Sequence, residues 1–313
     1  MLALLFPGQG SQEVGMGQDV FESSAAAREV YSAADRALGF EVSRLCFEGP
    51  EEELRRTENQ QPALLTTSIA LLRALGESEA LKPAFVAGHS LGEYSALVAS
   101  GAMTFEDAVR LVNARGRYMQ EAVPEGSGAM AAVLGCAASD VAEMCAQVAS
   151  ESGRVVSPAN YNSPQQTVIA GDAEAVAKVG ERAQEAGAKK VVELPVSAPF
   201  HCALMAPAAD KLGAKIDEID FRNPDPPVVT NVDAAPNADA ARIPALLREQ
   251  VTAPVRFTEM IECLKGEGVT HFLEVGAGRV LSGLLARIDR RSQRESLSSA
   301  ADLENARNFV ADS

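Results

Sequence analysis

The chain has 313 residues, 47% of them hydrophobic and 23% charged, which are the proportions of a globular enzyme made of one large domain or a domain with an insertion. With 43 acidic against 28 basic residues the net charge is −15, which argues against nucleic acid or an anionic membrane as a partner. No apolar run is long enough to span a membrane, and the apolar start, residues 1–6, lacks a basic segment and a cleavage site, so a cytoplasmic protein is expected. Five scattered cysteines (Cys46, Cys136, Cys145, Cys202 and Cys263) show no metal-ligand spacing and read as reduced, mostly buried residues.

Residues 2–6 form a short buried-strand pattern, followed by the loop Pro7-Gly8-Gln9-Gly10-Ser11-Gln12. A dinucleotide fingerprint requires a third glycine where Glu13 stands, so the loop falls short of that motif. Such a loop can instead bring a backbone N–H close to a ligand oxygen. Helices are expected over 24–38, from Pro50, and over 62–75, the last apolar on most sides with Gln60 and Gln61 at its mouth.

The apolar run Phe85-Val86-Ala87 leads into Gly88-His89-Ser90-Leu91-Gly92, and an amphipathic run to Ala99 follows. A G-x-S-x-G between a strand and a helix is a nucleophile elbow. Its glycines allow a turn too tight for side chains on either side of the serine, and the hydroxyl sits at a helix start, where developing negative charge is favoured.

Thr104 and Asp107 cap a helix expected to run to about Ala122. Ala108, Leu111, Val112, Arg115 and Met119 share one face by helical spacing, which sets Arg115 in an apolar stripe. A guanidinium there needs an anionic partner. Spacing alone favours a structural ion pair with a carboxylate of the protein over a docking point for a substrate carboxylate.

Between residues 126 and 197 the pattern reads strand (129–134), helix (139–149), strand (from 155), turn (160–164), strand (167–170), helix (172–186) and strand (190–194). This β-α-β-β-α-β order is ferredoxin-like and interrupts a larger α/β unit. The expected division is therefore a discontinuous core of residues 1–125 and 198–295, a small subdomain of 126–197, and a C-terminal tail of 296–313 that is weakly ordered or packed on the side. Within the returning core, strands are expected over 228–232 and 271–275, with helices over 202–219, 238–250, 258–265 and 281–288.

A serine nucleophile needs a base. Of three histidines, His89 is expected to point into the sheet and His271 opens an apolar strand, which leaves His201 in the loop crossing between subdomains. Cys202 has no elbow around it and is not expected to be the nucleophile. The group that orients His201 stays open between Asp233 and a main-chain carbonyl.

Six motifs in order carry a family resemblance: Phe6-Pro7-Gly8-Gln9-Gly10-Ser11-Gln12, Gln61-Pro62-Ala63-Leu64, Gly88-His89-Ser90-Leu91-Gly92-Glu93-Tyr94, Arg115-Gly116-Arg117, Asn160-Tyr161-Asn162-Ser163-Pro164 and Pro199-Phe200-His201. From residue 2 to about 290 the chain resembles the malonyl-CoA:acyl-carrier-protein transacylases. The resemblance implies an α/β-hydrolase-like core with an inserted ferredoxin-like subdomain. It implies Ser90 as nucleophile, His201 as general base supported by the carbonyl of Gln250 in place of Asp233, and the N–H groups of Gln9 and Leu91 as oxyanion donors. Arg115 would pair with the malonyl carboxylate, and Gln61, Asn160 and Phe200 would line the substrate site. Malonyl-CoA is then the acyl donor, and a holo acyl carrier protein, bearing phosphopantetheine, the acceptor. No permanently bound cofactor or metal is expected, and the protein is expected to be a monomer. The alternatives are an acyltransferase serving a polyketide synthase in trans and a serine thioesterase. Lys189-Lys190 and Arg290-Arg291 are candidate contacts for an acidic carrier.

Overall fold

Five parallel strands form the centre of the molecule, and the computed structural model describes them within residues 1–77, 81–124 and 126–313. Glu125, the last residue of the expected first core segment, lies outside the described residues. The first core segment runs β1 (Leu2–Phe6), α1 (Gln18–Ser23), α2 (Ala25–Leu38), α3 (Val42–Glu48), α4 (Glu51–Leu54), α5 (Thr57–Leu75), β2 (Phe85–Gly88), α6 (Gly92–Ala99) and α7 (Phe105–Glu121). The insertion runs β3 (Gly128–Leu134), α8 (Ala138–Ser152), β4 (Val156–Ser163), β5 (Gln166–Asp172), α9 (Ala173–Glu185) and β6 (Lys190–Glu193). The core resumes with α10 (Ala206–Ile216), β7 (Val228–Val229), β8 (Pro236–Asn237), α11 (Ile243–Gln250), α12 (Phe257–Gly266), β9 (His271–Val275), α13 (Val280–Ile288), β10 (Gln293–Leu297) and α14 (Leu303–Ala311).

The main sheet has the order β10-β9-β1-β2-β7-β8, parallel except for the short β7–β8 pair. Alternation along β1 explains why it reads as a continuous apolar run: Leu2, Leu4 and Phe6 enter one buried cluster, while Ala3 and Leu5 enter the cluster on the opposite face. The small sheet is antiparallel with the order β4-β5-β3-β6, the arrangement of a ferredoxin-like unit. It is buried on both faces too. Ala131 and Val133 of β3 pack under α8 and α9, whereas Met130 and Ala132 join the main core.

Four elements depart from the sequence pattern. Helix α5 begins at Thr57 and carries Pro62 inside it. A proline there leaves the carbonyl of Glu58 without its helical donor; Asn113 of α7 supplies one, its Nδ2 donating to Glu58 O at 2.8 Å. Gly116 lets the two helices approach, since a Cβ there would lie 2.4 Å from Thr57 O. Residues 160–163, expected as a turn, belong to β4, where register shifts after Pro158 and Tyr161 hide the alternation. The strand expected over 228–232 ends at Val229, because Asn231 is drawn away into the site. The tail is ordered. Residues 293–297 form the edge strand β10 of the main sheet, so a boundary at 295 would cut through it, and Arg307 of α14 donates to Ala74 O of α5 at 3.3 Å.

The turn after β2 sits at the carboxyl ends of adjacent parallel strands, beside the loop that follows β1. The contacts there leave no room for side chains: a Cβ on Gly88 would lie 2.0 Å from Gly92 C, and one on Gly92 would lie 2.0 Å from Phe6 O. We predict that Gly92→Ala destabilises the protein by about 3 kcal/mol or more, because backbone must move. Gly266→Ala, with nothing within 4 Å of the new Cβ in helix α12, should be neutral or stabilise by up to about 1 kcal/mol. Thermal unfolding of the two variants beside the parent chain measures both effects.

Candidate active site

Ser90 occupies the apex of the elbow with φ of 53°, left-handed backbone that a serine adopts only when its surroundings hold it. Asn231 does much of the holding. Its Oδ1 accepts from Ser90 N at 2.7 Å and its Nδ2 donates to Gly88 O at 2.7 Å, so one side chain bridges both sides of the turn. No motif in the sequence marked Asn231. In the sequence it falls inside the strand expected over 228–232.

Ser90 Oγ lies 2.7 Å from His201 Nε2. His201 also has positive φ, 59°, at the end of the crossing loop. Its Nδ1 faces two main-chain carbonyls, Gln250 O at 2.9 Å and Ala253 O at 3.2 Å. Carbonyls only accept, so Nδ1 carries the proton and Nε2 is free to accept from the Ser90 hydroxyl. Asp233 is elsewhere, paired with Arg242 at 2.5 Å. Burial, reinforced by the Arg115 cation, pushes the His201 pKa down to about 3 and keeps the ring neutral.

Arg115 is completely buried, and among the described residues it forms no ion pair with a carboxylate. The structural ion pair favoured by spacing is thus absent. Its donors go to neutral oxygens: Nη1 to Gln61 Oε1 at 2.9 Å, and Nη2 to Gln250 Oε1 and Ser90 Oγ, both at 3.1 Å. The guanidinium lies 5.4 Å from the centre of the Tyr94 ring. A buried cation whose hydrogen bonds go only to neutral oxygens can receive an anion, and this one reaches the Ser90 hydroxyl itself.

Gln61 and Gln9 are close, Gln61 Nε2 donating to Gln9 Oε1 at 3.4 Å, and Gln9 Nε2 donates to Gln60 Oε1 at 2.5 Å. The backbone N–H groups of Gln9 and Leu91 donate to no protein acceptor among the described residues. Gln9, Ser90 and His201 line one cleft of about 520 Å³, with Met130, Asn160 and Phe200 on its wall. His89 also lines it. Instead of pointing into the sheet, its Nε2 meets Asn162 Oδ1 of β4 at 2.8 Å, tying the elbow to the small subdomain. His271 is remote, bonded to Thr270 Oγ1 and packed on Phe309. Cys202 is buried with its Sγ on Pro199 O, and burial pushes its thiol up to about 11. Among the described residues no group of three metal-binding side chains occurs, and no helix is long and apolar enough to cross a membrane.

This geometry has close relatives. The chain is 50% identical to a malonyl CoA-acyl carrier protein transacylase of Salmonella typhimurium, over 91% of this chain and 92% of that one. It is 49% identical to the Bacillus subtilis protein of the same name, over 97% and 96%. An acyl carrier protein S-malonyltransferase from Vibrio cholerae superposes with a TM-score of 0.95 at 44% identity, covering 97% of this chain and 99% of that one. A malonyl-transacylase solved in complex with a type II PKS acyl-carrier protein gives a TM-score of 0.95 at 45% identity, covering 98% and 99%. The acyl transferase domain model matches residues 3–301, and the chain belongs to that family.

Proposed function

We propose that this protein is a malonyltransferase, moving malonyl from malonyl-CoA to the phosphopantetheine thiol of an acyl carrier protein through an ester on Ser90, and that it supplies fatty acid synthesis. The observation that carries the proposal is Arg115, a buried cation that forms no ion pair with a carboxylate among the described residues, within 3.1 Å of a serine that is itself 2.7 Å from a histidine. Ser90 Oγ attacks the thioester carbonyl as His201 Nε2 takes its proton. The oxyanion is held by the N–H groups of Gln9 and Leu91, and collapse expels the coenzyme A thiolate, to which His201 returns the proton. The carrier thiol then gives its proton to His201 and attacks the ester, and Ser90 recovers its proton as the malonyl thioester leaves.

Arg115 gives the site its selectivity. A malonyl carboxylate pairs with the guanidinium, whereas acetyl leaves it unpaired, a difference of about 2–3 kcal/mol or roughly 30- to 150-fold. Phe200 and Asn160 line the wall that limits the acyl group. The complex with a type II PKS carrier favours a second reading, the same transfer to a polyketide carrier. Relative loading rates of holo carrier proteins of the two kinds separate the two.

Two basic segments are proposed for carrier docking, Lys189-Lys190 and Arg290-Arg291. Lys190 pairs with Leu134, Leu134 pairs with Gln166, and Arg287 donates to Gln166 Oε1, so Lys189 and Lys190 stand two strands away from the segment carrying Arg287, Arg290 and Arg291. No ion pair among the described residues uses any of these five cations. Leu134 is four residues along β3 from Met130 in the cleft wall, roughly 13 Å at the usual strand rise. An acidic carrier seated there would extend its prosthetic arm toward Ser90.

Three predictions test this function. Intact-protein mass after brief mixing with malonyl-CoA should show one malonyl adduct, absent in Ser90→Ala and passed on to a holo carrier. Arg115→Ala should lose about 100-fold in malonyl loading while acetyl loading changes far less. Steady release of coenzyme A with no adduct would mean hydrolysis instead. Second, because His201 is neutral above about pH 4, malonyl loading should stay level from pH 8 to pH 5. In Arg115→Met the nearby cation is gone, the histidine pKa rises, and the acid limb of residual acetyl loading should move upward. Third, reversing the charge of Lys189, Lys190, Arg290 and Arg291 should raise the KM for the carrier about tenfold and leave malonyl-CoA loading unaltered; equal carrier kinetics would exclude this surface.

A further inference from the structure

The proposed transfer makes no use of Glu93, yet this carboxylate lies beneath the elbow with 2% of its surface exposed. A single oxygen, Oε2, accepts from two donors: Asn231 N at 3.1 Å and Gln250 Nε2 at 2.7 Å. Asn231 is the residue that bridges the elbow. Gln250 is the residue whose carbonyl faces His201 and whose side chain faces Arg115. The remaining bond of Gln250 Nε2 goes to Ser90 O at 3.0 Å.

Hydrogen-bond polarity gives this arrangement its meaning. Arg115 offers only donors, so the oxygen of the Gln250 amide must face it. That orientation requires acceptors on the amide nitrogen side, and Glu93 and Ser90 O are those acceptors. If Glu93 could not accept, the amide could turn and present N–H groups to the guanidinium. We propose that Glu93 is a positioning residue for malonyl selection, fixing the Gln250 amide so that Arg115 is held ready for the substrate carboxylate beside Ser90. Burial pushes the Glu93 carboxyl up to about 7, and Oε2 accepts in both protonation states when the proton resides on Oε1. The essential property is therefore an acceptor at that point and not a negative charge.

This inference rests on the malonyltransferase reading and is tested beside it. Malonyl-CoA and acetyl-CoA loading of Ser90 are followed by intact mass for the parent chain, Glu93→Leu and Glu93→Gln, with thermal midpoints recorded for each. A purely structural residue would lower both loading rates together. We expect Glu93→Leu to lose about 50-fold in malonyl loading and less than about fivefold in acetyl loading, collapsing the discrimination. Glu93→Gln keeps an oxygen acceptor of the same reach and should restore most of the malonyl preference. If Glu93→Leu does not fold, Glu93→Asp, whose stem is one methylene too short to reach both donors, takes its place. An unchanged malonyl-to-acetyl ratio, or a Glu93→Gln chain as defective as Glu93→Leu, overturns the inference while a loading parent chain keeps the transferase standing. A parent chain that loads neither acyl group overturns both.

Discussion

A guanidinium removed from water governs the arrangement of the whole site. Arg115 has five N–H groups and no acceptor, so a side-chain amide bonded to it must turn its oxygen toward it. Gln61 and Gln250 do so, and each then has its amide nitrogen directed elsewhere, Gln61 toward Gln9 and Gln250 toward Glu93 and Ser90 O. The orientation of both side-chain amides thus follows from one cation. Its hydrogen bonds go to neutral dipoles and its Nε–H has no partner among the described residues, so the cation remains available to an incoming anion. Helix α7 can place it there only because Gly116 permits contact with the first turn of α5, and because Asn113 caps the carbonyl that Pro62 leaves open.

Ser90 and His201, the proposed nucleophile and base, are two of the three non-glycine residues with positive φ among the described residues. Strain of this kind persists where surrounding structure over-determines it. For Ser90 the determinants are the glycine contacts and Asn231. For His201 they are the carbonyls of Gln250 and Ala253, and the segment bearing Ala253 is itself fixed from the small subdomain. Val255 N donates to Ala159 O at 2.8 Å, and Tyr161 N donates to Val255 O at 2.8 Å. The inserted sheet therefore does more than wall the cleft. Its strand β4 braces the loop that orients His201.

The legible parts of the sequence were those whose signal is local. The elbow declares itself through glycine spacing, the insertion through its alternation of periods, and Arg115 through the apolar stripe it interrupts. Spacing could not say what Arg115 pairs with, because that depends on a partner brought from elsewhere in the chain. Asn231 and the side-chain role of Gln250 are invisible for the same reason, lying 141 and 160 residues from the Ser90 groups they bind. Strand β4 was hidden by its register shifts, and β10 by its polar residues, which suit an edge strand exposed along one side. Pro62 misled in the ordinary way, marking a helix start where a neighbouring side chain had in fact made a proline tolerable inside the helix.

The missing carboxylate behind His201 bears on the choice between transfer and hydrolysis. A carboxylate would stabilise the imidazolium and make the histidine a stronger base. Here two neutral carbonyls orient the ring, and burial with the Arg115 cation depresses its basicity further. In the proposed cycle the Ser90 ester would meet two nucleophiles: a thiol, with a pKa of about 8.5, and water, at about 15.7. A weak base accepts the thiol proton at a modest cost, but water, about seven units less acidic, pays the full difference. The first half-reaction is not singled out by this weakness, because attack of Ser90 on a thioester passes through the same kind of tetrahedral adduct as thiol attack on the ester in reverse. On the proposed mechanism, a histidine kept poor in proton affinity would preserve the acyl-serine for the acceptor that loses its proton most readily, and the buried Arg115 would add to that restraint while selecting the acyl group.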